Sequence, residues 1–187
     1  MIKRLLFSIK MAWKFRKDIS KIKNSALATE NITQITNLII IKHNICALVL
    51  DFDGVMAAHG DAEPNEEVYR WLNDLIQKMP VLKFYILSNN PWKMREDYFK
   101  LHFPQVIFIS GVEKKPYPDG MLKICKTANL NPNQVAIVDD RLLTGCLASE
   151  LAGCKSFWIY KPYTNIRKHP TQELFFQFLR FIEKKIY

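Results

Sequence analysis

The sequence of 187 residues lacks any hydrophobic run long enough to cross a membrane. A membrane-spanning helix needs about 20 consecutive apolar residues, and no stretch of this chain comes close to that length. Cys46, Cys125, Cys146 and Cys154 form no C-x-x-C pair, and the four histidines lack the spacing of metal ligands. A zinc site is therefore not expected, and the scattered cysteines favour reduced thiols in a reducing, cytoplasmic compartment. Internal repeats are also missing, so the composition indicates one domain with a short appendage.

Positive charge is concentrated at the start of the chain. Residues 1–24 contain eight lysines and arginines against one acidic residue, Asp18, and so carry +7 of the net charge of +9. The rest of the chain is close to neutral. The basic character therefore belongs to one segment and not to the folded body, and binding to nucleic acid is not favoured.

The same segment has the pattern of an amphipathic helix. A narrow stripe of lysines lies beside its apolar face. The residues of the apolar face are Ile2, Leu5, Leu6, Ile9, Ala12 and Trp13. A basic amphipathic helix with a tryptophan at its apolar edge is typical of a helix that lies on an anionic membrane. Two alternatives remain open, a helix that docks on the protein's own core and a cleaved targeting peptide.

Short apolar runs alternate with helical patterns after residues 25–43, which are interpreted as a linker or short helix. Strands are predicted at 45–51, 81–87, 105–109, 134–138 and 155–160, and helices at 65–78, 91–102, 120–128 and 142–152. This alternation predicts an α/β fold in which right-handed crossovers build a parallel sheet that is covered on both faces.

The last segment, residues 172–187, has the pattern of a second amphipathic helix. Its broad apolar face consists of Leu174, Phe175, Phe178, Leu179, Phe181, Ile182 and Ile186. Such a face is predicted to pack on the core, which gives a domain of residues 44–187 that ends in this helix. A binding role for the helix is the less favoured alternative.

Two aspartates, Asp51 and Asp53, follow the first predicted strand, where the apolar run gives way to Gly54. In open α/β sheets the carboxyl ends of the strands form the edge that holds the active site. Mg²⁺ takes oxygen ligands and is usually bound by one or two carboxylates. The pair therefore indicates a magnesium site, although an ordinary strand-end turn has the same composition.

Three further positions carry polar residues suited to a phosphate group. Ser88 and Asn89 follow the second strand, where a hydroxyl group and the amides of a helix start can bind an anion. A plain helix N-cap would have the same residues. Lys115 stands in a loop braced by prolines after the third strand, and Asp139 and Asp140 follow the fourth.

In this order the four elements resemble the four motifs of the haloacid dehalogenase (HAD) superfamily of phosphoryl-transfer enzymes. The motif residues are Asp51 and Asp53, then Ser88, then Lys115, then Asp140. The resemblance covers about residues 44–162 and implies a Rossmann-like, doubly wound sheet with strand order 3-2-1-4-5. Strands one and four are neighbours in that order, so that their aspartates come together.

The resemblance also implies a role for each residue. Asp51 is expected to be the nucleophile and Asp53 the general acid and base. Mg²⁺ is expected to bind the side chains of Asp51 and Asp140 and the backbone carbonyl of Asp53. The phosphate group is expected to bind Ser88, Asn89 and Lys115.

The fourth motif departs from the family pattern. Relatives usually have glycine at the place of Asp139 and a second acid at the place of Gly145. The loss of that acid removes a group that holds the water shell of the metal, and Asp139 is a candidate to compensate for it. Which of the adjacent aspartates binds the metal stays open, with Asp140 favoured over Asp139.

The spacing between the motifs leaves no room for a cap domain. Asp53 and Ser88 are 35 residues apart and Ser88 and Lys115 are 27 residues apart, and each interval is filled by one predicted helix and one strand. An uncapped site is open. It suits a substrate that is presented by something large, such as a lipid bilayer.

Segments 87–90, 138–145, 150–153 and 160–162 are similar to the capless class IIIA group that contains phosphatidylglycerophosphate phosphatases. This likeness implies removal of the terminal phosphate of phosphatidylglycerophosphate at the inner face of a membrane, which is the matrix face in a mitochondrion. Two alternatives remain. One is a capless phosphatase of a phosphoprotein, nucleic-acid end or soluble metabolite, and the other is a membrane-associated binding protein without turnover, suggested by Gly145.

Overall fold

A parallel six-stranded sheet forms the centre of the computed structural model, which describes residues 2–187 and side chains from residue 3 onward, so that Met1 lies outside it. The strands are β1 (Ala28–Thr29), β2 (Ala47–Leu50), β3 (Lys83–Ile86), β4 (Val106–Phe108), β5 (Val135–Asp139) and β6 (Lys155–Ile159). Their order is β1-β6-β5-β2-β3-β4, and every neighbouring pair is parallel.

Eight α-helices surround the sheet in the described part of the chain. They are α1 (Ile2–Lys14), α2 (Arg16–Lys23), α3 (Asn37–Lys42), α4 (Glu66–Lys78), α5 (Lys93–His102), α6 (Asp119–Ala128), α7 (Leu147–Leu151) and α8 (Pro170–Ile186). A π-helical turn, Leu142–Cys146, leads into α7, and 3₁₀ turns occur at Ile32–Gln34 and Pro132–Gln134.

The predicted α/β fold with a doubly wound parallel sheet is confirmed. Without β1, the strands stand in the predicted order 3-2-1-4-5. The sequence analysis missed β1, which adds a sixth strand at the edge by pairing Ala28 with Trp158 and Thr29 with Ile159. A strand of two residues is too short to show a period, so its position depends on the partner strand.

Residues 25–43 contain more structure than a linker. Besides β1 and α3, they contribute Ile32, Ile35 and Ile40, which are fully buried in the main hydrophobic core. The chain before β2 is therefore part of the packed domain.

Alternate residues of the central strand β2 face two different layers of helices. Leu48 and Leu50 pack in the cluster that includes Leu72 of α4 and Phe99 of α5. Ala47 and Val49 pack in the cluster that includes Met121 and Ile124 of α6. Because both faces are covered, β2 is an uninterrupted apolar run, and its polar residues are confined to the turn that follows it.

The orientation of α8 is the opposite of the predicted one. Its apolar residues Leu174, Phe175, Phe178 and Phe181 are each more than half exposed, at 56–59%. The buried residues of this helix are Glu173, Arg180 and Glu183. The prediction that the apolar face covers the core is therefore wrong, because α8 is fixed to the domain by charged side chains.

The first two helices differ in how they meet the domain. Ile19 of α2 is fully buried with Leu142 and Trp158, so this part of the basic segment docks on the core. In α1, Leu5, Leu6, Ile9 and Trp13 are at least 60% exposed, whereas Ala12 is buried. Among residues 2–187, no helix combines the length and apolar character needed to cross a membrane.

Candidate active site

All six residues that the sequence assigns to the site line one cavity at the carboxyl edge of the sheet. They are Asp51, Asp53, Ser88, Asn89, Lys115 and Asp140, and the cavity has a volume of about 700 Å³. The topology explains their meeting, since β2 lies between β3 and β5 and the polar residues follow the ends of these strands.

Lys115 is the cation at the centre of the site. Its Nζ lies 3.0 Å from Asp51 Oδ1 and 2.6 Å from Asp139 Oδ2. Burial lowers the pKa of Lys115, but the carboxylates of Asp139 and Asp51 outweigh this effect and raise the pKa above its ordinary value. A charged lysine therefore stands beside the candidate nucleophile.

Asp51 is fixed at the end of β2, where its backbone N–H donates to the carbonyl oxygen of Val138 over 3.0 Å. Burial raises the pKa of its carboxyl group above the ordinary value, Lys115 lowers it, and the neighbouring aspartates raise it further. A neutral carboxyl group is a poor nucleophile. A further positive charge bound beside Asp51 would favour the ionised form of its carboxyl group.

An acidic cluster beside Lys115 fits a cation that could supply this charge. One oxygen atom from each of Asp51, Asp139 and Asp140 lies within 4.8 Å of the others. Carboxylate oxygens are the ligands that Mg²⁺ prefers. The cluster contains Asp51 and Asp140, the two side chains that the sequence assigns to the metal, and adds Asp139. Asp53 was expected to offer only its backbone carbonyl, and its carboxylate pairs with Arg95.

The carboxylate of Asp139 occupies the space that a side chain at position 145 would need. A Cβ atom added to Gly145 would lie 1.9 Å from Asp139 Oδ2. Asp139 is fully buried and accepts a hydrogen bond from Lys115. Asp139 therefore fills the space beside Gly145.

Asp53 is bound by an arginine that the sequence analysis did not single out. Arg95 of α5 donates from Nη1 to Asp53 Oδ2 over 3.0 Å and from Nη2 to Asp53 Oδ1 over 2.7 Å. The guanidinium group is buried, stacks 3.9 Å from the ring centre of Phe52 and also donates to the carbonyl oxygen of Asp61. Such a bidentate pair fixes the plane of the carboxylate.

Ser88 and Asn89 differ in what their side chains can do. The hydroxyl oxygen of Ser88 accepts from the backbone N–H of Asn90 over 3.1 Å, and the hydroxyl proton remains available for an anion. The amide of Asn89 instead binds the backbone N–H and carbonyl of Lys115, over 2.7 and 3.1 Å. Asn89 was assigned to the phosphate, but its side chain is used to position the lysine.

Helix α8 forms one wall of the site. Arg180 Nε donates to Asp140 Oδ2 over 2.5 Å, and Glu183 accepts from Arg141 Nε over 2.8 Å. At its other end Glu173 accepts from the backbone N–H of His59. Burial raises the pKa of Asp140 above its ordinary value, although Arg180 opposes this change. A cation that binds Asp140 therefore competes with Arg180.

A family model for haloacid dehalogenase-like hydrolases matches residues 10–153, which is well over half of the chain. The chain belongs to this family. No curated protein matches it.

Solved structures are similar to this HAD-like hydrolase at low sequence identity. An uncharacterized protein from Listeria monocytogenes serotype 4b is 12% identical, with a TM-score of 0.51 over 67% of this chain and 85% of that chain. A predicted phosphoglycolate phosphatase from Haemophilus somnus 129PT is 13% identical, with a TM-score of 0.46 over 65% and 88% of the two chains. A HAD family enzyme from Bacteroides thetaiotaomicron, in complex with magnesium and inorganic phosphate, is 11% identical, with a TM-score of 0.41 over 61% and 93%.

Three charged residues at the site of this HAD-like hydrolase were not predicted from the sequence. They are Arg95, Arg180 and Glu183, which lie outside the four motifs, on α5 and α8. For α8 the sequence did contain a signal, because Glu173, Arg180 and Glu183 recur at spacings that place them on one side of a helix.

Removal of the charge of Arg180 is expected to strengthen the binding of divalent cations. In Arg180→Gln the carboxylate of Asp140 loses its cationic partner, and a charge of this kind changes the proton affinity of a carboxylate by about tenfold or more. We expect a comparable gain in affinity for Mn²⁺, measured from the free-ion signal in electron paramagnetic resonance. Lys185→Gln, on the exposed side of the same helix, is the control, and an unchanged affinity in Arg180→Gln would contradict the competition.

Proposed function

We propose that this HAD-like hydrolase is a Mg²⁺-dependent phosphomonoester hydrolase whose substrate is a phospholipid at a membrane surface, with phosphatidylglycerophosphate as the first candidate. The observation that carries the proposal is the contact of Asp51 with Lys115 inside a cavity that also contains the acidic cluster. A carboxylate, a cation and a metal-binding cluster together meet the requirements of phosphoryl transfer to an aspartate.

In the proposed reaction, an oxygen of Asp51 attacks the phosphorus atom and the bond from phosphorus to the leaving oxygen breaks. Asp53 donates the proton that this oxygen requires and then accepts one from the water that hydrolyses the aspartyl-phosphate. Arg95 donates to both oxygens of the Asp53 carboxylate in the structure and so fixes its plane. One of these two hydrogen bonds must open when Asp53 carries the proton. The ammonium group of Lys115 and the hydroxyl group of Ser88 bind phosphoryl oxygens, so that they stabilise charge in the transition state.

Mg²⁺ would be held by the side chains of Asp51 and Asp140 and by the backbone carbonyl of Asp53. When bound, it supplies positive charge that reduces repulsion between the phosphate and the nucleophile. Asp139 keeps the ammonium group of Lys115 beside Asp51. Asp139 thereby supports the metal site in place of the acid that the family resemblance implies at position 145.

Two exposed apolar helix faces support a membrane surface as the location of the substrate. Leu5, Leu6 and Trp13 of α1 and Phe178 and Phe181 of α8 are all more than half exposed. Exposed apolar residues in such numbers mark an interaction surface. The +7 charge of residues 1–24 favours an anionic leaflet over a neutral partner.

The identity of the lipid is proposed from the motif sequences. Segments 87–90 and 138–145 resemble the capless group that contains phosphatidylglycerophosphate phosphatases, and the chain between the motifs forms no separate cap. Removal of the terminal phosphate would yield phosphatidylglycerol at the inner face of the membrane.

A second candidate is a membrane-associated binding protein without turnover. The contact between Arg180 and Asp140 favours it, because an arginine already neutralises one of the carboxylates that would hold the metal. Such a protein would bind phospholipid and release no phosphate.

The proposal is tested by Mg²⁺-dependent phosphate release from phosphatidylglycerophosphate in anionic vesicles, beside a soluble aryl phosphate. We expect release from the lipid to exceed release from the soluble ester and to stop on chelation of the metal. Release from the soluble ester alone would retain the phosphatase and reject the lipid. Lipid binding without release of phosphate from either compound would favour the second candidate.

Replacement of the exposed α1 residues should separate membrane binding from chemistry. In Leu6→Gln/Trp13→Gln, two side chains that could enter a bilayer become polar, each worth about 1.5 kcal/mol or more when buried. We expect vesicle binding, measured by sedimentation, to fall more than about tenfold while hydrolysis of the soluble ester is unchanged. A deletion of residues 1–24 is less informative, because it removes the buried Ile19.

The control is Leu101→Gln, which alters an equally exposed leucine on α5. Equal loss of vesicle binding in the control and the double variant would show that α1 is not the membrane-binding helix.

A further inference from the structure

The cavity that contains the catalytic aspartates has a second, apolar half. Its polar end holds Asp51 and Lys115, whereas side chains from α1, the π-helical turn and α8 line the remainder. The apolar lining residues are Leu5, Ile9, Pro116, Leu143, Phe175, Phe176, Leu179 and Ile182. This half is called the apolar groove below.

The apolar groove belongs to the same cavity as Asp51 and Lys115, so a substrate bound at these two residues would extend into it. A phosphate group that reaches Asp51 and Lys115 leaves the group it esterifies in the rest of the same cavity. Hydroxyl or base groups of a sugar or nucleotide would meet apolar side chains there and lose their hydrogen bonds to water, which is costly. A hydrocarbon chain would instead gain free energy with each methylene that leaves water.

The orientation of α8 accounts for the groove. Glu173, Arg180 and Glu183 fix the charged side of the helix to the domain. Leu179 and Ile182, which are adjacent to that side, therefore line the cavity, and Phe178 and Phe181 face outward. The same helix thus has one set of apolar residues for the cavity and another that is open to solvent.

Charge at the groove suits a phosphate-bearing lipid. Arg4 of α1 and Lys114 of the loop before Lys115 line the same cavity. Both side chains are basic. A lipid headgroup with more than one phosphate would find one cationic site at Lys115 and further cations around it.

We propose that the apolar groove binds hydrocarbon of the phosphate ester, so that part of one acyl chain leaves the bilayer and lies between α1 and α8 during the reaction. This inference rests on the proposed function and adds a binding site to it. Adsorption of α1 on a membrane would leave the hydrocarbon in the bilayer. The groove instead predicts a preference for long chains in the absence of any membrane.

The test uses soluble alkyl phosphates from ethyl to octyl phosphate, as monomers without vesicles and with Mg²⁺. Each methylene that enters the groove should raise kcat/KM, by up to about fourfold. Binding of ethylphosphonate and octylphosphonate, which cannot be hydrolysed, is measured in parallel by calorimetry. Affinity should rise with chain length in the same way, so the groove is tested even if turnover is absent.

Two variants of α8 locate the effect. Leu179→Gln places a polar group in the groove and should reduce the ratio of octyl to ethyl values, in both kcat/KM and binding, by at least about tenfold. Phe181→Gln alters an exposed residue that does not line the cavity and should leave the ratio unchanged. Circular dichroism confirms that both variants are folded.

The outcomes separate this inference from the proposed function. A chain-length effect in binding without turnover supports the groove and contradicts the phosphatase. Hydrolysis that is equal for ethyl and octyl phosphate supports the phosphatase and overturns the groove. An equal ratio in Leu179→Gln and in the unaltered protein also overturns it.

Discussion

Asp51→Asn is expected to abolish Mg²⁺-dependent phosphate release while leaving the fold intact. The amide is close to the carboxylate in shape and can still accept a hydrogen bond from Lys115, but it cannot form the aspartyl-phosphate. Loss of a nucleophile that works together with its neighbours costs on the order of 10³-fold or more in rate. Phosphate release and thermal unfolding are the two measurements.

The thermal stability of Asp51→Asn distinguishes loss of the nucleophile from loss of the fold. Burial raises the pKa of Asp51, and Asp139, Asp140 and Asp53 raise it further, so the charged form is disfavoured in the folded state. The cost of ionising Asp51 in the folded protein is absent in the asparagine variant at neutral pH. We therefore expect a midpoint of thermal unfolding equal to or above that of the unaltered protein.

Asp97→Asn is the matched control, because Asp97 is half exposed and pairs only with Lys93 on the surface of α5. It should retain full activity. Near-normal phosphate release in Asp51→Asn would remove Asp51 from its role as the nucleophile.

Exchange of the residues at positions 139 and 145 is expected to correct the defects of the two single variants, which are lost activity in Asp139→Gly and lost stability in Gly145→Asp. Asp139→Gly leaves Lys115 with one carboxylate partner in place of two and should reduce kcat/KM about 10- to 100-fold. Gly145→Asp places a Cβ atom 1.9 Å from Asp139 Oδ2 and adds a charge beside it, so it should destabilise the fold by about 1–3 kcal/mol.

In Asp139→Gly/Gly145→Asp the space vacated by the first change receives the carboxylate of the second. We expect activity within about tenfold of the unaltered protein and a normal unfolding midpoint, which is a large departure from additivity between neighbours. The measurements are kcat/KM at saturating Mg²⁺ and calorimetric unfolding. A double variant as impaired as the sum of its singles would show that Asp139 has a role other than that of the missing acid.

The core and the motif positions were predictable because they depend on local patterns. A short apolar run followed by Asp51 and Asp53 identifies a buried parallel strand and its end, and a sheet with alternating helices has few allowed topologies. The strand order, and with it the placement of Ser88 and Lys115 in one site with the aspartates, was implied by the resemblance to the HAD motifs. All of these side chains line one cavity in the structure.

The orientation of α8 could not be derived in this way. A helical period identifies an apolar face, but it does not say whether that face meets the core or another surface. The outcome depends on Asp140 and Arg141, which are far away in sequence and pair with Arg180 and Glu183. Only the tertiary structure brings these partners together.

The pairing of Arg95 with Asp53 and the position of Asp139 beside Gly145 could not be predicted for a similar reason. Arg95 binds Asp53 across 42 positions of sequence, and nothing in its own helix distinguishes it from a surface arginine. The sequence shows glycine at position 145, but only the distances in the structure show that Asp139 fills the space beside it.

In the proposed reaction, phosphate passes through the side chain of Asp51. This step is tested by rapid acid quench of the protein with Mg²⁺ and substrate, followed by mass spectrometry of the peptide that contains residues 51–53. We expect a phosphoryl adduct on Asp51 that is cleaved by hydroxylamine and is absent from Asp51→Asn. Turnover without this adduct, or an adduct on a different residue, would contradict it.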